Sequence, residues 1–188
     1  MSEKAALRRQ LRSLYGGAQV RAEESRLICR HILESDWYRE AQIVAGYVPL
    51  KWEADVTAVL QHALESGRTL ALPLCAEAPR MTLRRVASLE ALVPGRYGIP
   101  EPREDTEIID VEAVHLLLIP LEGIDPGGMR LGKGGGYYDC LLADRSVRSV
   151  GCALSWQKAD RIPNDPWDRP LAACADREGM HIFRNMSK

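Results

Sequence analysis

The sequence predicts an α/β fold in which a mostly parallel sheet is sandwiched by helices. Three observations carry this expectation. Apolar strand segments alternate with amphipathic helices along the chain, a pattern that gives βαβ units and a parallel sheet. The run His115 to Pro120 is nearly all apolar, as a strand buried on both faces must be. A glycine-dense stretch then joins that strand to a short helix.

The elements follow from spacing. From Glu3 to about Leu14, Ala6, Leu7 and Leu11 make a short helical stripe among Lys4, Arg8, Arg9 and Arg12, and Gly16-Gly17 break it. A second helix from about Ala18 to Ser35 carries Val20, Leu27, Ile28, His31 and Ile32 on one side. Ile43 to Leu50 reads as a strand closed by Pro49, and Asp55 caps a helix to about Ser66 with Gly67 just past its end. Thr69–Cys75 and Met81–Val86 read as strands, and Pro94 to Asp105 as a loop rich in Pro and Gly. Beyond the glycine cluster come a helix from about Tyr137 to Ala143, a strand at Val150–Leu154, a proline-bearing loop at Arg161–Pro170 and a terminal strand near Met180–Phe183.

Length and composition bound the function. At 188 residues the chain reads as one domain, long enough to bury roughly 70% of its unfolded surface without disulfide or metal. A formal net charge of −1, from 25 basic and 26 acidic residues, excludes the broad basic field of a nucleic-acid binder. No apolar run approaches the roughly 20 residues that span a bilayer, so no membrane partner is expected. The five cysteines form no C-x-x-C pair and read as reduced thiols of a cytoplasmic protein; the four histidines lack zinc-ligand spacing.

The most informative stretch is Ile119 to Asp139, where seven of the 15 glycines fall between Gly123 and Gly136. Backbone N–H groups of such a loop, at the start of a helix, make an anion site. Arg130 and Lys133 add positive charge, and together these features predict phosphate binding. Gly127 to Lys133 has the spacing G-x-x-x-x-G-K, but Gly134 stands where a nucleotide-binding P-loop has Ser or Thr for magnesium; no G-x-G-x-x-G is present. Asp139, in the first turn of the next helix, either holds a magnesium ion beside bound phosphates or simply complements the helix dipole. The residues alone leave both open.

The segment Arg130-Leu131-Gly132-Lys133-Gly134-Gly135-Gly136-Tyr137-Tyr138-Asp139 closely resembles the signature of the 5-formyltetrahydrofolate cyclo-ligase family. Three further segments agree in order: Lys4-Ala5-Ala6-Leu7-Arg8 with its N-terminal K-x-x-L-R, Gly98-Ile99-Pro100-Glu101-Pro102 with its G-I-x-E-P, and Gln157, Pro163 and Trp167-Asp168 with its C-terminal motif. The resemblance runs from residue 4 to about residue 176. It implies a three-layer α/β/α sandwich, similar to the ribose-phosphate isomerase and CoA-transferase group. It also implies ATP- and magnesium-dependent closure of 5-formyltetrahydrofolate to 5,10-methenyltetrahydrofolate. The formyl oxygen would attack the γ-phosphate, giving an imidate phosphate, and no side-chain nucleophile would be needed.

The resemblance also assigns roles. Lys4, Ala5, Ala6, Leu7 and Arg8, with Arg130 to Tyr138, would bind ATP, and Lys4, Arg130 and Lys133 would offset charge on the transferring phosphoryl group. Without it, Lys4 and Arg8 read as a solvated helix face. Val48 and Glu53, with Lys133, Gly134, Gly135, Gly136 and Tyr137, would contact the folate, Glu53 by a hydrogen bond to the pterin edge; Glu53 reads otherwise as a helix cap near Asp55. Trp52 and Tyr137 offer stacking surfaces, and Asp139 and Asp168 would hold magnesium. Many members carry Lys or Arg at Gly135, which lowers the charge expected of this loop. The expected partner is a small-molecule folate, with or without a polyglutamate tail, on a monomer or weak homodimer. Rival readings are a non-catalytic nucleotide or folate binder and a paralogue acting on another formyl compound.

Overall fold

The structure, a computed structural model, describes residues 2–143 and 145–183. Helix α1 (Glu3–Ser13) starts on Ser2, whose hydroxyl accepts from the Ala5 N–H. Helices α2 (Gly17–Glu34) and α3 (Asp36–Glu40) follow, the latter capped by Ser35. Strand β1 (Ile43–Ala45) precedes α4 (Thr57–Glu65) and strands β2 (Thr69–Cys75) and β3 (Met81–Val86). The expected loop at Pro94–Asp105 contains a small antiparallel hairpin, β4 (Val93–Pro94) with β5 (Pro100–Glu101). Then come β6 (Ile108–Ile109), β7 (Leu116–Ile119), a second small hairpin of β8 (Gly123–Ile124) and β9 (Arg130–Leu131), and α5 (Tyr137–Leu142). Strands β10 (Ser149–Cys152), β11 (Ala173–Ala175) and β12 (Met180–Ile182) end the order.

Eight strands form the sheet, in the order β12-β11-β10-β7-β1-β2-β3-β6. The inner five are parallel and the edges antiparallel. Strand β7 lies at the middle with all four residues fully buried, which is why its sequence is continuously apolar rather than alternating. Side chains at period 2 divide between two layers. Val44, Leu70, Leu116, Leu118 and Val150 pack on Ile28, Ile32, Val59 and Leu60 of α2 and α4. Ala45, Ala71, Leu117 and Ile119 face the other way, onto Leu141 and Leu142 of α5 and Val111 and Val114 of a short turn. The sandwich is therefore mixed α/β as expected, with one thick helical layer and one thin layer resting on a six-residue helix.

Two differences from the expected elements stand out, the first of which bears on the site. The strand read as Ile43–Leu50 keeps its ladder only to Ala45. At Gly46 a Cβ would meet Leu60 Cδ2 at 2.6 Å, so α4 crowds the backbone there and the chain runs on past the sheet as an extended arm. That arm closes on itself through Glu53, whose N–H donates to the Leu50 carbonyl (2.9 Å) and whose carboxylate accepts from the Leu50 N–H (2.8 Å). The second difference is β11 (Ala173–Ala175), a strand not expected from the sequence, to which the expected terminal strand β12 pairs through the turn around Asp176.

Asp176 is 2% exposed and accepts from the Glu178 and Gly179 N–H groups and from Lys158 Nζ at 2.8 Å. Burial opposes its charge, but the bonds from Lys158, Glu178 and His181 outweigh it and hold the carboxyl below its ordinary value. A carboxyl with a depressed folded value stabilises above its ordinary range and loses that contribution as pH falls through the folded value. Asp176→Asn should therefore cost about 1.5–3 kcal/mol at neutral pH and flatten the acid limb of a stability-against-pH curve. Urea melts of both proteins between pH 3 and 7 check this; identical acid limbs would contradict it.

Candidate active site

Past the carboxyl ends of the parallel strands, where ligands bind in open α/β sheets, lies a cavity of about 730 Å³. Its walls come from the arm after β1, the end of β2, the β4–β5 hairpin, the loop from β9 to α5, the start of α1 and the segment at Asp165–Asp168. The glycine loop thus becomes a wall, as its composition requires of backbone that approaches a ligand. Gly134 (φ 100) and Gly136 (φ 69) hold conformations that L side chains rarely adopt, and Gly136 sits directly before α5.

Helix α1 lies across this loop because residues four apart share one face. Lys4 Nζ donates to Asp165 (2.6 Å) and Asp168 (2.5 Å), and Arg8 Nε to the Gly132 carbonyl (2.7 Å). Arg12 makes a two-point contact with Glu122 (2.8 and 2.6 Å). The neighbouring apolar row buries Leu11 against Leu131 and Ile162; a Cβ on Gly123 would meet Leu11 at 2.6 Å. Lys4 and Arg8 are therefore cavity residues rather than a solvated helix face. Burial opposes the charge on Lys4, but its two aspartate bonds outweigh that and leave its pKa raised.

Arg130 is the most constrained cation. It is 8% exposed, its Nη2 donates to Asp139 at 2.9 Å, and its guanidinium lies 5.7 Å from the ring centre of half-buried Tyr138. Its Nε and Nη1 are buried with no partner. Buried donors left unpaired cost roughly 1–3 kcal/mol each, more when charged, so this edge of Arg130 has donors to spare for an acceptor from outside the protein. Lys133 reaches Glu53 Oε1 at 2.6 Å and joins the glycine loop to the arm after β1.

The cavity brings together Lys4, Arg8, Val48, Glu53, Arg130, Leu131, Gly132, Lys133, Gly134, Gly135, Gly136, Tyr137, Tyr138, Asp139 and Asp168. Ala5, Ala6 and Leu7 are outside its lining; Leu7 packs beside Leu11. Trp52 also lies outside it, edge-on to Tyr15 (5.1 Å) with Lys51 over its ring. The sequence reading missed Asp165, which shares Lys4 with Asp168, and Tyr97, and it named Glu101 within a family motif without giving it a role; the β4–β5 hairpin folds both Tyr97 and Glu101 into the wall. Tyr97 and Tyr137 join through their hydroxyls at 2.9 Å, and the Tyr137 hydroxyl also donates to the Ala76 carbonyl (3.2 Å). That contact with Tyr97 pushes the Tyr137 phenol up to about 12. Cys75, the thiol among the lining residues, is pushed up to about 11 by burial and by Glu101, so it stays neutral and weakly nucleophilic near pH 7.

Fold and site together define an α/β enzyme with a highly charged cavity at the carboxyl edge of its sheet. Residues 1–175 match the 5-formyltetrahydrofolate cyclo-ligase family, and the chain belongs to that family of ligases. It is 28% identical over 159 residues to 5-formyltetrahydrofolate cyclo-ligase of Haemophilus influenzae, covering 81% of this chain and 84% of the relative. It is 29% identical over 139 residues to the Escherichia coli protein of that name, covering 71% and 76%. The NMR structure of Aquifex aeolicus 5,10-methenyltetrahydrofolate synthetase is similar with a TM-score of 0.84 at 30% identity, covering 100% of this chain and 96% of that one. None of the helices among the described residues is long and apolar enough to cross a membrane.

The orphaned edge of Arg130 makes a direct prediction. Saturating ADP should raise the melting temperature by roughly 5–10 °C through linkage. Arg130→Ala should lose most of that shift, whereas Arg39→Ala, in an exposed i,i+3 pair, should keep it. Thermal melts with and without ADP decide this.

Proposed function

We propose that this chain catalyses the ATP-dependent cyclisation of 5-formyltetrahydrofolate to 5,10-methenyltetrahydrofolate, releasing ADP and phosphate. The observation that carries the reading is the buried, half-partnered guanidinium of Arg130 in a cavity that Lys4, Arg8 and Lys133 also line. Four cations match a triphosphate, and family membership supports the folate.

A formyl oxygen is a poor leaving group until it is phosphorylated. In the proposed sequence that oxygen attacks the γ-phosphorus of ATP and ADP leaves. N10 of the folate then adds to the activated carbon, loses its proton, and the C–O bond breaks to release phosphate. The protein contributes positioning and charge rather than a covalent group, in keeping with the neutral Cys75. Arg130 places two N–H donors toward the phosphates, Arg8 and Lys133 bracket the glycine loop, and Lys4 approaches from α1. Val48 and Glu53 face the folate, with Glu53 also orienting Lys133.

Magnesium fits this arrangement, because it takes one or two carboxylates and completes its shell with phosphate oxygens and water. Asp139 and Asp168 line the cavity with side chains 22% and 12% exposed, engaged by Arg130 and Lys4 respectively. They would hold the ion, which neutralises phosphate charge when bound.

Purified protein with 5-formyltetrahydrofolate and magnesium should develop the methenyl absorbance only when ATP is added, with one ADP per product. Lys4→Ala and Arg130→Ala should lower kcat/KM by about 100-fold or more while circular dichroism stays unchanged. Absence of ATP-dependent product from the unaltered protein would overturn the reading.

A further inference from the structure

Two buried carboxylates face the cavity, Glu53 at 4% and Glu101 at 5% exposure. They differ in what neutralises them. Glu53 is satisfied within the protein, by Lys133 at 2.6 Å and the Leu50 N–H at 2.8 Å. Glu101 has no lysine, arginine or histidine within ion-pair distance among the described residues, and its backbone contact is a long one, from the Arg96 N–H at 3.4 Å. It lies beside Cys75, whose thiol it helps push up, and the cavity wall adds Met81, Ile99, Pro100 and the tyrosine pair; the Arg96 guanidinium acts on Cys75 and Tyr137 but stands beyond ion-pair distance of Glu101. A buried carboxylate left without a cation is costly unless donors come from elsewhere.

The hairpin is shaped to keep it there. A Cβ on Gly95 would lie 2.4 Å from the carboxyl carbon of Glu101, so only glycine at that position leaves room for the side chain. Tyr97, in the same hairpin, is held at φ 66, a conformation disfavoured for a residue with a side chain, with its hydroxyl on Tyr137.

We propose that Glu101 is the specificity-determining carboxylate of the substrate site, accepting the two parallel N–H donors of a 2-amino-4-oxopyrimidine ring, N3–H and the 2-amino group. The inference rests on the cyclo-ligase reading and assigns the orientation of the folate within it. Among the other parts of the reactants, the ribose diol of ATP also offers hydroxyl donors to a carboxylate, and the ADP dissociation constant measured below distinguishes it. Phosphate is repelled by Glu101, and the adenine edge offers an amino donor beside a ring-nitrogen acceptor whose lone pair would face the carboxylate. A pterin edge supplies two donors in the spacing a carboxylate accepts bidentately. The cavity is thereby polarised, with the half-partnered guanidinium of Arg130 marking the phosphates and Glu101, which has no cation, marking the pterin.

The test is Glu101→Met, which keeps side-chain length and removes the acceptor. It should raise KM for 5-formyltetrahydrofolate roughly 10- to 100-fold, leave the ADP dissociation constant within about twofold by calorimetry, and leave the melting temperature equal or higher, since an unpaired buried charge is removed. A purely structural role would instead lower the melting temperature and weaken both ligands. Gly95→Ala, which displaces the carboxylate without deleting it, should raise the folate KM in the same direction, and it reads the proposal if Glu101→Met does not fold. A 5-formyltetrahydrofolate analogue with methyl in place of the 2-amino group should be discriminated against by the unaltered protein and not by Glu101→Met. If the unaltered protein turns over 5-formyltetrahydrofolate while both variants keep its KM and its discrimination, the assignment of Glu101 falls alone. If the unaltered protein neither binds nor turns over the folate, the cyclo-ligase reading falls and takes this inference with it.

Discussion

The guanidinium of Arg130, more than nine-tenths buried, uses one nitrogen on Asp139 and leaves two with no partner. Much of the architecture around the cavity follows from holding that charge in place. The β8–β9 hairpin delivers it from the end of the central strand, Tyr138 backs it, and the glycine loop continues from it without side chains that would block its open edge. Helix α1 closes over the same loop, anchored by Lys4, Arg8 and Arg12 on one face and by Leu11 on the adjacent one. The four cations of the cavity stand among five carboxylates, so the positive edge is local to Arg130 and the start of the glycine loop, and a chain of net charge −1 can still present it.

Much of this was legible from the residues. The continuous apolar run at β7 marks the sheet centre because both its faces are covered, and the glycine cluster marks the loop because backbone there must lie close to a ligand. The role of Lys4 and Arg8 was not legible from local pattern, since cations spaced four apart on a helix look the same whether they meet solvent or a loop more than a hundred residues away. Their partners, Asp165 and the Gly132 carbonyl, are set by tertiary packing. Trp52 shows the reverse case: an aromatic beside a site motif suggests stacking, and the fold sets its ring outside the cavity lining, edge-on to Tyr15. Glu101 and Tyr97 lie in a segment rich in Pro and Gly that reads as loop, and only the two-residue pairing of β4 with β5 turns them into the cavity.

The arm after β1 shows how a small backbone choice positions chemistry. Gly46 lets α4 approach, the ladder ends, and Tyr47 to Glu53 leave the sheet to form a wall of the cavity. Glu53 then pairs with Lys133 of the glycine loop, so the wall proposed for folate and the wall proposed for phosphates are tied by one ion pair. Such coupling suits a reaction whose first step joins an oxygen of one substrate to a phosphorus of the other, where catalysis rests on alignment.

The measurement that bears most directly on this account follows the formyl oxygen. 5-Formyltetrahydrofolate carrying oxygen-18 in its formyl group is turned over with unlabelled ATP, and the released phosphate is examined by mass spectrometry. The account predicts that the label appears in the phosphate, about one atom for each methenyl product. Label released into water, with unlabelled phosphate, would contradict it.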